Sequence, residues 1–405
     1  MAALSQLEVK VQMSLKLVVR QVPVPEALSL SGKSVFLHGD RKIIGSGEAV
    51  RLSATGPNRV AELAEKWQQL VAETEIENLS GKESPGVIGL TSIAFAAGSN
   101  QASSIIVPHH TLLVSDDWAL EITTDNQIET EPMALPEGEF QAGLQSPADF
   151  EASVEKALSE IAESSLEKVV LARDLWLATQ AKPDLGEVLT RLQQRYPGCW
   201  IYAVDSVFGA SPELLLRAER GEVSARVLAG TAGRGTDPDV DRAIADGLSH
   251  SLKNKHEHAY AVQSLVSELE PFCSNVEADA EPFSLALPDL WHLATDVRGK
   301  LLDNVSLLDV ISRLHPTAAV AGTPRDAALD LIDQLEPFDR GGYAGPVGWI
   351  SSDGSGEIAI ALRGGVIEQD GIRALAGCGI VSESSPQAEL AETDLKFRAI
   401  RSAFG

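Results

Sequence analysis

Short apolar runs closed by Gly- and Pro-bearing turns recur along this chain, and no stretch repeats another. Such runs pair most readily as hairpins, because an antiparallel neighbour needs only a tight turn whereas a parallel one needs a crossover of about a dozen residues. Examples lie between Leu7 and Val50, at 86–97, 103–114 and 118–123, and from Trp200 to Thr231 around the turn Glu219-Arg220-Gly221-Glu222. A further hairpin begins at 341–350 and returns over 357–363. The pattern predicts an α+β fold, with antiparallel sheets packed in the core and helices outside, rather than a βαβ series.

Helical spacing interrupts these strands. Val60, Leu63, Trp67, Leu70 and Val71 mark a helix over 57–75, and another is expected at 185–196. Ser146-Pro147-Ala148-Asp149 reads as a capping box that starts a helix with Phe150, Val154, Leu158 and Ile161 on one face. One long helix is expected over 238–269, capped by Asp237, with His250, Lys253 and Glu257 at i, i+3 and i+7. Thr323-Pro324 with Asp326 reads as a further start, and Ser385-Pro386 as the last. On that last helix Glu389, Glu392 and Lys396 share one face beside the glycine-rich AGCGIV at 376–381. Alone, this is a solvated face whose Glu392–Lys396 pair contributes about 0.3–0.5 kcal/mol. It is equally the geometry of a site for a cation and an anion together.

Charge narrows the partners. With 33 Lys+Arg against 58 Asp+Glu the formal charge is -25, which argues against nucleic acid and anionic membranes. An anionic substrate would therefore need a local positive pocket. Cys199, Cys273 and Cys378 are odd in number and far apart, so neither a disulfide framework nor a zinc site is expected, and a reducing, cytoplasmic setting is. Residues 1–20 lack a signal-peptide core and a membrane span. There is no Walker A or GxGxxG sequence, and the His256-Glu257-His258 spacing is too tight for a helical zinc pair. The acidic stretch 125–145 is expected to divide a variable N-terminal part of the β core, 1–145, from a catalytic region, 146–405, in one packed unit.

Two segments set a charged residue in apolar surroundings. KVVLAR at 168–173 opens a core strand with Lys168, and SPELL at 211–215 sets Glu213 against leucines. With LAGT (228–231), LHPTAAVAGTP (314–324), YAGPVGW (343–349) and AGCGIV…ELAETDLK (376–396), they occur in the order found in the chorismate-utilising enzymes. From about residue 146 onward the chain resembles that family, most closely its isochorismate synthase branch. The resemblance implies the anthranilate synthase component I type of fold, with chorismate, a dianion, as substrate. Water would add at C2 while the C4 hydroxyl leaves, and the product would feed menaquinone or siderophore synthesis.

By the same resemblance Lys168 is the general base, which demands a pKa below its usual value of about 10.4, and Glu213 is the acid, kept protonated by apolar neighbours. Glu257 and Glu392, with Glu389 alongside, match magnesium ligands. Arg363, Lys396 and Tyr343 would hold one substrate carboxylate. Gly230, Gly377 and Gly379 would let backbone N–H groups approach, and Thr231, His292 and Ala319 would line the substrate. His315 is expected to be structural.

Lys168 stands where ammonia-using members usually carry Gln, Ala229 where the aminodeoxychorismate branch has a nucleophilic Lys, and Ala319 where salicylate synthases tend to have Thr. The branch implied is therefore isochorismate synthase, with salicylate synthase next, then an ammonia-using enzyme or a non-catalytic chorismate-binding subunit. A monomer without a glutaminase partner is expected. Two departures stand out. Cys378 replaces the usual Ala, raising the expectation of oxidant sensitivity, and Gly342 precedes Tyr343 where a bulkier residue is common.

Overall fold

In a computed structural model the chain is described over residues 15–124, 133–286 and 290–405. The side chains of Lys253, His256 and Glu257 lie outside that description, as do the strand expected from Leu7 and the start of the acidic stretch. Among the described residues no helix is long and apolar enough to cross a membrane.

The expected α+β architecture is present, as two sheets of 13 and 10 strands flanked by helices. The larger sheet runs from Gln141–Ala142 through Lys168–Ala178, Gly371–Ile380, Gly364–Glu368, Val207–Ser211 and Trp200–Val204. It continues through strands before residue 125, starting with Ser34–His38. The smaller runs from Cys273–Ala278 through Leu290–Leu301, Glu222–Gly233, Leu214–Glu219, Gly356–Ile360 and Pro346–Ser351 to Ile88–Ser92, Ser103–Val107 and Val50–Ala54. Both sheets thus take strands from each side of residue 145. Among the described strands, pairing is antiparallel except where Lys16–Val22 meets Glu75–Asn78.

The chain passes between the sheets at two neighbouring points. After Val207–Ser211 it crosses at Pro212 and Glu213 into Leu214–Glu219, and after Gly356–Ile360 it returns at 361–363 into Gly364–Glu368. The crossings are bonded together: Ile360 N–H donates to the Glu213 carbonyl (3.1 Å), and the Ser211 hydroxyl to the Ile360 carbonyl (2.5 Å). Arg363 holds a left-handed φ of 55°, a strained position for a side-chain-bearing residue.

Helix starts follow the sequence at Pro147–Glu163, where Ser146 and Asp149 form the expected capping box, and at Pro386–Phe404, where the Ser385 hydroxyl accepts from Ala388 N–H. Two expectations are corrected. Residues 238–269 form not one helix but Pro238–His250 and Leu252–Leu269, because Ser251 leaves helical dihedrals and its hydroxyl caps the second helix at Asn254 N–H. His250 and Glu257 therefore lie on different helices. Thr323 caps nothing: it pairs with Lys168 in a two-residue strand, Gly322–Thr323, and Pro324 is the residue before the helix Arg325–Leu335.

Candidate active site

Lys168 opens the strand Lys168–Ala178, whose partner Gly371–Ile380 brings Gly379 opposite Val170 and Gly377 opposite Ala172. The absence of a side chain at 379 makes room for the lysine, since a Cβ there would lie 2.7 Å from Lys168 Cε. On the other sheet a bulge at Gly230, with φ +79°, shifts the register so that Thr231 faces His292. Thr231 Oγ1 lies 3.0 Å from His292 Nδ1. Beneath them the buried His258 braces both strands, through the Ala229 carbonyl (3.1 Å) and Thr295 Oγ1 (2.7 Å).

Glu213 stands at the inter-sheet crossing. Burial raises its carboxyl to about 7, against the opposing charges of Lys168, then Arg363, then Lys396. The carboxyl is therefore a proton donor up to neutral pH, with the expected base its foremost neighbouring charge. Because the folded-state value exceeds the ordinary 4.5, the folded protein binds the extra proton between these values. Stability should fall as pH rises from about 4.5 to about 7. Urea midpoints of the wild type and Glu213→Gln should diverge across that window in metal-free buffer; parallel curves would show an ordinary carboxylate.

Arg363 lies at the second crossing. Burial lowers its pKa, while Tyr343, Cys199 and Glu392 favour its charge. Its guanidinium makes no hydrogen bond or ion pair among the described residues. Partly buried at a cleft and without a counter-ion, the guanidinium is placed to take up an anion. Tyr343 is buried, its phenol pushed up to about 12 by burial, and its hydroxyl has no hydrogen-bond partner among the described residues. His292 is held neutral, at about 4, by burial and by Arg363 and Lys396.

The helix Pro386–Phe404 carries the third wall. Lys396 Nζ donates to Glu392 Oε1 and to the Gly377 carbonyl, both at 2.6 Å. Glu389 and Glu392 lie one turn apart on this helix, and both carboxylates act on the Cys378 thiol. Arg173, buried in the Lys168 strand, fixes this helix. It donates to Thr393 Oγ1 (2.7 Å) and Asp394, and lies over the Phe397 ring. A cleft with about 520 Å³ of empty space opens beside Arg363, Glu392 and Lys396; Lys168 and Glu213 are not among its walls.

The structure thus makes Lys168, Arg363 and Lys396 electrostatic neighbours of Glu213, and Arg363, Lys396 and Glu392 neighbours of His292, with Tyr343 acting on Arg363. Strand pairing sets Gly377 and Gly379 beside the Lys168 strand and Thr231, after the Gly230 bulge, beside His292, while Arg363, Glu392 and Lys396 line the cleft. Glu257 is on the helix Leu252–Leu269, which packs on the Gly230 strand, but its side chain is outside the described residues. Ala319 sits in an exposed turn beside Val320. His315 is buried edge-on against Phe95. Burial, then Glu389, raises the Cys378 thiol well above the usual range, which disfavours the thiolate that oxidants attack.

A clamp that the motifs did not announce supports the Lys168 strand. Glu336 and Arg340, both buried, pair at 2.5 Å; Glu336 accepts from Ala172 N–H (2.7 Å), and Arg340 donates to the carbonyls of Val170 (2.7 Å) and Val320 (2.9 Å).

The family model described as "Chorismate binding enzyme" matches residues 118–405. The chain belongs to this family. Among curated chorismate binding relatives, isochorismate synthase DhbC of Bacillus subtilis is 32% identical over 87% of this chain and 88% of its own length. Isochorismate synthase EntC of Escherichia coli K12 is 32% identical over 91% of this chain and 94% of its own. The solved structure of MenF, the menaquinone-specific isochorismate synthase from Escherichia coli, shares the chorismate binding fold. Its TM-score is 0.80 at 21% identity, covering 97% of this chain and 95% of that one.

Proposed function

We propose that this chorismate binding enzyme is an isochorismate synthase, converting chorismate reversibly to isochorismate by adding water at C2 with loss of the C4 hydroxyl. The observation that carries the proposal is the Glu213 carboxyl, raised to about 7 by burial, with Lys168 as its foremost opposing charge. Lys168 Nζ takes a proton from the attacking water, and the Glu213 carboxyl gives one to the departing hydroxyl. Lys168 then holds the proton that the reverse reaction gives to the C2 hydroxyl, and the Glu213 carboxylate is the base which takes the proton of the returning water. Arg363 and Tyr343 bind a substrate carboxylate, with Lys396 adding a point charge, and neutral His292 offers a hydrogen bond rather than charge.

Among the described residues no group of three or more ligating side chains gathers. Glu389 and Glu392 nonetheless fit Mg²⁺. They are hard oxygen donors one turn apart, and this ion is commonly held by one or two carboxylates plus waters and substrate oxygens. These two, with Glu257 as the expected third, would hold it. Bound there, the ion would neutralise substrate carboxylate charge in a chain of formal charge -25. We further propose a cytoplasmic monomer that needs no glutaminase.

Incubating the purified protein with chorismate and Mg²⁺ and separating the products tests this function. Isochorismate is expected, and should disappear when EDTA removes the metal. Salicylate with pyruvate would assign a synthase–lyase instead, and no product, with or without ammonia, a binding subunit.

A further inference from the structure

Residues 99–101 precede the matched family span, 118–405. They nevertheless grip the turn that presents Tyr343. Asp339 accepts from the Ser99 hydroxyl (2.9 Å), Asn100 N–H (2.7 Å) and Gly341 N–H (2.8 Å). The Gln101 carboxamide then reaches over the turn itself. Its Oε1 accepts from Gly342 N–H (2.9 Å), and its Nε2 donates to the Ser206 hydroxyl (2.8 Å). Space and bonding agree here. A Cβ on Gly341 would lie 2.3 Å from Gln101 Oε1, and one on Gly342 would lie 3.3 Å from Gln101 Nε2 and 2.4 Å from Val207 Cγ1. The carboxamide therefore occupies room that a bulkier residue before Tyr343 would contest.

The turn leads directly to the anion-binding wall. Tyr343 N–H donates to the Arg340 carbonyl (2.9 Å), and Ala344 N–H to the Ala361 carbonyl (2.8 Å), two residues before Arg363. We propose that Gln101 is a positioning residue that sets the Tyr343 hydroxyl for a substrate carboxylate, so that residues outside the family span help to determine chorismate affinity. This rests on the assignment of Tyr343 to substrate binding.

A double-mutant cycle tests it, with KM and kcat for chorismate measured at saturating Mg²⁺ and thermal midpoints recorded for every variant. Gln101→Met keeps the length and removes both hydrogen bonds. It should raise KM about five- to tenfold with a smaller change in kcat, as loss of uniform binding does. In the Tyr343→Phe background the same change should raise KM less than twofold, because the hydroxyl it positions is gone. Ser206→Ala, which removes only the anchor of the carboxamide, should act in the same direction if Gln101→Met proves unstable. Equal effects in both backgrounds would overturn the proposal and make Gln101 a packing residue. An unchanged KM in Tyr343→Phe would overturn it by removing Tyr343 from the substrate, while isochorismate formation would still stand.

Discussion

Lys168→Ala is expected to lower kcat by about 10²–10⁴-fold, the range that a positioned general acid or base contributes, while the protein stays folded. The lysine opens its strand instead of lying mid-core, and its side chain crosses the open face of Gly379, so truncation leaves no sealed cavity. Unfolding by urea should shift little, by well under about 1 kcal/mol. Lys168 heads the charges that hold the Glu213 carboxyl down, so its removal should move that carboxyl further above about 7. Glu213→Gln should cost as much as Lys168→Ala, since the amide keeps the shape but has no carboxyl proton to give. The double variant should be hardly worse than either single, because the base and the acid act as one unit. A Lys168→Ala enzyme within tenfold of the wild-type kcat would remove the lysine from proton transfer.

What the sequence made legible was local chemistry. The Ser146 and Ser385 caps are short-range hydrogen bonds whose donors and acceptors lie within three residues, and both form as read. The split at Ser251 was hidden, because apolar spacing runs through it and a mid-helix serine becomes a cap only when the chain must turn. Thr323 carried a helix-start signal yet pairs with Lys168, a tertiary contact 155 positions away that no window of sequence contains. The site itself was read from motifs, and what they could not supply was placement. That Glu213 and Arg363 stand at two bonded crossings between sheets follows only from the strand order. Arg173 was visible within KVVLAR as a charge in a buried strand, but its grip on Thr393 and Asp394 depends on where the final helix docks.

The Glu336–Arg340 pair was the least legible, because Glu and Arg at i, i+4 look like any exposed helix pair, and it should give the largest stability effect. Glu336→Ala leaves the Arg340 guanidinium buried without its counter-ion, and breaking such a pair costs about 3–5 kcal/mol. It also strips the acceptor from Ala172 N–H in the strand that begins with Lys168. The loss should appear as a lower urea midpoint with an unchanged slope, accompanied by a fall in kcat as the Lys168 strand loses its support. Replacing both partners, Glu336→Met with Arg340→Met, should recover part of the stability because no buried charge is left unpaired. It should not recover all, since the carbonyls of Val170 and Val320 would still lack their donor. A single Glu336→Ala that unfolds within about 1 kcal/mol of the wild type would mean that water reaches the guanidinium. The clamp would then owe its place to the carbonyls it bonds rather than to its ion pair.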